Sequence, residues 1–131
     1  MQVGKQNWGY QTQNSYTGQG ATETRQFFLF TDNTRVATSF IPDGNDNSGA
    51  YGDCTLYTGA EKRSCQDRQT SLEAQIRFNR TTEQNGVWGI QATLSGNIGK
   101  KRYTKQKYAM PYNSRTHSHI VPKNYPLYIA P

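Results

Sequence analysis

In SLEAQIRFN, residues 71–79, every second side chain is apolar: Leu72, Ala74, Ile76 and Phe78 alternate with Ser71, Glu73, Gln75, Arg77 and Asn79. A repeat of two marks a strand with one buried and one wet face, and helical spacing does not produce it. VWGIQATLS, residues 87–95, repeats the pattern, with Trp88, Ile90, Ala92 and Leu94 on one side. Asn85-Gly86 just ahead of it is a turn signal. GNIG then leads into KKRYTKQKYAM, a third strand, so the three predict an antiparallel meander. Upstream, the apolar runs RQFFLF, ending at Phe30, and RVATSFI, ending at Ile41, are split by Asp and Asn and read as a hairpin.

The rest of the chain is less patterned. Residues 1–25 are rich in Gln, Asn, Thr, Ser and Gly, and are expected to form an edge strand or a polar arm. PDGNDNSGAYGD, residues 42–53, reads as a loop. Residues 111–131 carry four prolines spaced so that no long central strand fits, which predicts an extended segment docked by Tyr125, Leu127, Tyr128 and Ile129. No stretch reads as a long helix. The expected architecture is a single all-β domain over residues 1–131, an antiparallel β-sandwich or barrel of about six to eight strands.

Composition makes this a thin-cored domain. Only 33% of residues are hydrophobic, against roughly 45–50% in typical domains (a share that also counts glycine). Nine Tyr, five Phe and two Trp partly compensate. Such a domain gains stability from a disulfide or from neighbouring subunits, so a homo-oligomer is expected. Cys54 and Cys65 flank a segment with Thr58-Gly59 near its middle, and a hairpin there would let them form that disulfide. One cysteine pair makes no zinc site, and neither a metal nor another cofactor is expected.

Charge changes the picture most. Of fifteen Lys and Arg, seven lie beyond residue 97, where there is no Asp or Glu, leaving eight against all nine acids in the remainder. A one-sided field favours anionic partners such as nucleic acid or acidic glycans. Lys100, Lys101, Arg102, Tyr103, Lys105, Lys107, Tyr108 and Arg115 are the candidate contacts for a polyanion. On a regular strand Lys101, Tyr103, Lys105 and Lys107 would share a face, cations tracking phosphates while the ring stacks. Lysines on an edge strand would equally prevent edge-to-edge aggregation. Trp8, Tyr10 and Tyr51 are candidate aromatic contacts for a glycan.

Other chemistry is thinly supported. His117 and His119 would lie on one side of an extended chain, where they could begin a metal site or serve ribonuclease-like acid–base chemistry, but a third ligand and an opposed geometry are missing. Asp43, Asn45 and Asn47 alternate as in a calcium loop, yet no Glu closes it. Asn79-Arg80-Thr81 fits a glycosylation sequon. There is no phosphate loop, nucleophile elbow or zinc-protease motif, and no apolar run approaches the roughly 20 residues of a membrane span. MQVGKQNWGY lacks the apolar core of a secretory leader, which suits a trimmed chain or a virion protein. The reading is a non-catalytic, self-assembling or surface-binding subunit, extracellular or virion-borne with the cytoplasm left open, contacting a polyanion or glycan. A coat-type nucleic-acid-binding protein and a secreted ribonuclease-like toxin are the alternatives.

Overall fold

Two tight turns set the frame. Gln19-Gly20 and Asn85-Gly86 have positive φ at both positions, 53° and 80° in the first and 49° and 81° in the second. That is the signature of type I′ turns, whose twist matches the strands they join. At Gly86 a Cβ would also run into Asn33 Oδ1. These turns close β1 (Gly9–Gly18) onto β2 (Ala21–Thr31), and β4 (Thr70–Gln84) onto β5 (Val87–Ile98). In the computed structural model, which describes residues 1–128, β3 (Val36–Asp46) and β6 (Lys101–Met110) complete a six-stranded antiparallel sheet in the order β1-β2-β3-β4-β5-β6. β7 (Tyr112–Asn113) and β8 (Ser118–His119) form a second, small sheet.

The large sheet divides in the middle. β3 and β4 share only three residue pairs, Gly44 to Asp46 against Glu73 to Ser71. Beyond that corner the halves part, and their inner faces build one core. Phe28, Phe30, Ala37 and Ile41 come from the first half; Leu72, Ala74, Ile90, Ala92, Leu94 and Met110 come from the second. The architecture is sandwich-like and all-β, as expected. Among the described residues β1 and β6 do not pair, so no barrel closes.

The proline-bearing C-terminal segment fills the opening between the halves. Tyr125 and Leu127 are buried in the core. The Tyr125 hydroxyl donates to Pro42 O at 2.7 Å, and its ring meets that of Tyr108 edge-on at 5.1 Å. Tyr128 packs against the same cluster, whereas Ile129 lies outside the described residues. At the other end, Val3 is fully buried and its carbonyl accepts from Trp88 N–H.

Two expectations are corrected. Residues 42–46 continue β3 rather than starting a loop. Pro42 stays in register with Arg25, and Asp43 is the extra residue of a bulge before Gly44 meets Thr24. β4 joins only from Gly44, so no ladder bond is asked of Pro42 on that side. Between Cys54 and Cys65 there is no hairpin. A 3-10 turn (Cys54–Leu56) leads into α2 (Gly59–Arg68), after the short α1 (Ser48–Tyr51). Ala60, Glu61, Lys62 and Arg63 are good helix formers, and Glu61 in the first turn and Arg68 in the last suit the helix dipole. The disulfide does form, joining Cys54 to Cys65. A loop of that length is worth about 3 kcal/mol on the chain-entropy model. Here it staples the excursion between β3 and β4.

Candidate functional site

The basic strand is an edge strand, since β6 ends the sheet order. Its alternation is broken. Lys105 has φ 45°, its N–H donates to Ser95 Oγ at 3.2 Å, and the β5–β6 register slips between Leu94 and Gly96. One extra residue reverses the facing of everything beyond it. Tyr103 and Tyr108 therefore both point inward and are only 8% and 7% exposed. The expected face shared by Lys101, Tyr103, Lys105 and Lys107 does not exist, and neither tyrosine is placed to stack on a ligand. Lys100, Lys101, Arg102, Lys105 and Lys107 are all exposed. Lys100 lies 3.8 Å from Asp67, and among the described residues the others have no carboxylate within ion-pair distance. Arg115 is exposed but stands apart on the turn between β7 and β8.

The histidines have separate tasks. His117 adopts φ 52°, which ends the extended geometry that would have put both rings on one side. Its Nδ1–H donates to Asp32 Oδ2 at 2.7 Å, and the Tyr112 hydroxyl donates to the same oxygen at 2.6 Å. Asp32 Oδ1 accepts from Thr34 N, Thr34 Oγ1 and Arg35 N. Burial alone would raise the Asp32 pKa, but these bonds overcome it and hold the carboxyl well below its usual range. Burial, with Asp32 close by, pushes the Tyr112 phenol up.

His119 is buried against Phe30, Phe78 and Tyr112. Its Nε2–H donates to Trp88 O at 2.8 Å, so Nδ1 accepts from Ser39 Oγ, also at 2.8 Å. Its own N–H returns to Ser39 Oγ at 3.0 Å. Burial lowers the ring's pKa to about 4. A serine, a histidine and an aspartate are thus near neighbours, but Asp32 serves the other histidine. Ser39 is only 1% exposed. A catalytic triad needs the acid on the same imidazole and a reachable hydroxyl. This constellation instead ties the C-terminal segment to β3 and β5. Its signal is invisible locally, because Ser39 and Asp32 lie some eighty residues from their partners.

The outer face of the first half is the unexpected surface. Tyr10 lies opposite Leu29, which lies opposite Thr38; Thr12 lies opposite Phe27, which lies opposite Phe40. Phe27 and Phe40 rings are 4.7 Å apart. Trp8, Tyr10, Leu29, Val36 and Phe40 are all exposed, Tyr10 to 77% and Phe40 to 53%. The outer face of the second half carries Glu73, Gln75, Arg77, Gln91, Thr93 and Ser95 instead. Trp8 and Tyr10 thus belong to one patch. Tyr51 sits elsewhere, on α1, beside Tyr57, Glu61 and Arg68 around a shallow cleft of about 260 Å³.

Asp43 is buried; Gln13 and Gln26 amides donate to its Oδ2, while Oδ1 meets no partner among the described residues. Among the described residues no three His, Cys, Asp or Glu side chains converge as a metal site would require. No helix among those residues is long and apolar enough to cross a membrane. No family model matches this chain, and neither a curated protein nor a solved structure does.

Proposed function

We propose that this chain is a non-catalytic structural subunit, of a virion or an extracellular assembly, that works by associating with copies of itself. The apolar outer face of the β1–β3 half carries this reading. One six-stranded sheet makes opposite choices on its two outer halves, polar over β4–β6 and apolar over β1–β3. Contiguous exposed apolar surface of this kind marks an interaction site. The Cys54–Cys65 disulfide is compatible with an oxidising location. The test is a double substitution, Leu29→Lys with Phe40→Lys, at two exposed positions. It is expected to lower the particle mass in solution by at least half while leaving the far-ultraviolet spectrum unchanged. An unaltered mass would remove this face from the assembly.

The free cations of β6 favour a second, compatible role: contact with a polyanion. With both tyrosines turned inward, such contact is through charge alone and blind to sequence. Heparin and single-stranded DNA are expected to bind comparably at low salt. The triple change Lys101→Ala, Lys105→Ala, Lys107→Ala should flatten the slope of log K against log salt by about 2–3. A slope equal to wild type would leave the lysines as edge guards only. Retention of a neutral oligosaccharide at high salt, lost on Trp8→Ala or Tyr10→Ala, would favour the glycan reading instead.

A further inference from the structure

β1 opens the sheet, so one side of its backbone is unpaired. The bonds at its start tell which groups those are. Trp8 O accepts from Thr31 N–H, toward β2, whereas Gly9 N–H donates to Met1 O and Gly9 O accepts from the Met1 amine, on the other side. Backbone direction alternates along an antiparallel strand. Odd-numbered residues of β1 therefore turn away from β2. Met1 covers Gly9. Gln11, Gln13, Ser15 and Thr17 are left with N–H and C=O groups that meet no partner among the described residues.

Among the described residues nothing guards this edge. Between Lys5 and Glu23 there is no charged residue and no proline, and β1 pairs with β2 from Gly9 to Gly18 without a bulge. The opposite edge, β6, has every such guard: exposed lysines, the left-handed bulge at Lys105, and Pro111 at its end. Edges left bare in this way are templates for another strand.

We propose that the β1 edge pairs, antiparallel and about a two-fold axis, with β1 of a second copy. This rests on the assembly reading above and fixes one of its contacts. Open groups meet open groups only where odd residues face odd ones. The register that uses all of them sets Gln11 against Thr17 of the second copy and Gln13 against Ser15, with Asn14 opposite its own counterpart. The two sheets merge into one of twelve strands. Their apolar outer faces fall on the same side, because even residues also face even ones. Uncharged side chains along the whole contact remove the repulsion that like charges would impose at a self-pairing edge.

Asn14→Cys tests this register in the full, disulfide-bonded chain. Non-hydrogen-bonded antiparallel pairs bring Cα atoms to about 4.5 Å, within disulfide reach. Thr12→Cys is the control: its counterpart lies four residues along the strand, roughly 13 Å away. Both positions are exposed, so the fold tolerates either change. Under mild oxidation Asn14→Cys is expected to give covalent dimer at least about tenfold faster than Thr12→Cys. Ser15→Pro, which deletes an outward N–H and none that β2 uses, should lower the particle mass. Equal cross-linking of both cysteines, or of neither, in a protein that still assembles would overturn the β1 pairing and leave the assembly reading standing. A wild-type chain that stays monomeric, as it would if another protein's strand took this edge, would overturn both.

Discussion

Asp32→Ala is expected to destabilise the fold by about 3–5 kcal/mol, the cost of emptying a buried, fully bonded charge site. The carboxylate accepts the Tyr112 hydroxyl, the His117 imidazole and the N–H groups of Thr34 and Arg35. Alanine leaves those donors facing a void, and each buried donor without a partner costs about 1–3 kcal/mol. Asp32→Asn should cost less, since one amide oxygen still serves the Thr34 and Arg35 N–H groups. Urea denaturation monitored by tryptophan fluorescence gives the ordering. A loss below about 1 kcal/mol for the alanine variant would mean that the site does not hold the C-terminal segment in place.

Acid should weaken the fold in two stages. His119 titrates near the ordinary histidine value of 6.5 when unfolded, but at about 4 in the folded chain, where burial disfavours its charged form. As pH falls from about 7 to 4, the unfolded chain takes up a proton that the folded one refuses, so stability drops. The spread between those values amounts to about 3 kcal/mol of stability, present in full above about pH 7 and lost by about pH 4. Asp32, held low when folded, adds its own loss only below its ordinary value of 3.8. His119→Gln lowers stability at every pH but should abolish the slope between pH 7 and 4. If the slope of wild type and variant match across that window, the imidazole is not the group being titrated.

How much of this was legible in the chain follows from where the core is. Residues 71–79 and 87–95 alternate cleanly because one face packs and the other is wet, so β4, β5 and their Asn85-Gly86 turn could be read directly. α2 could not. Its only buried side chain is Cys65, so a helix lying on the surface leaves no apolar stripe to count. β1 was legible only as one of two readings, edge strand or polar arm, for a related reason: both of its faces are solvated, so no apolar alternation decides between them. At β6 a single inserted residue turned Tyr103 and Tyr108 to the same inner side, an event that alternation cannot foresee. The clasp of Ser39, Asp32, His117 and His119 depends on contacts across the whole chain, and no local spacing encodes it.

The exposed apolar face and the bare β1 edge had a different kind of signal. Phe27, Leu29 and Phe40 were visible inside runs assigned to strands, but a run apolar on both faces reads as a buried strand. Only the topology shows that Phe28 and Phe30 turn inward while Phe27 and Leu29 turn out. On the assembly proposed above, those outward residues are the ones that other copies cover.

Multi-angle light scattering of the purified chain, with no ligand added, measures that cover most directly. A mass of at least two chains, rising with concentration above the 14.8 kDa of one, is the predicted result. A constant 14.8 kDa at every concentration, from a chain folded as described, would contradict it.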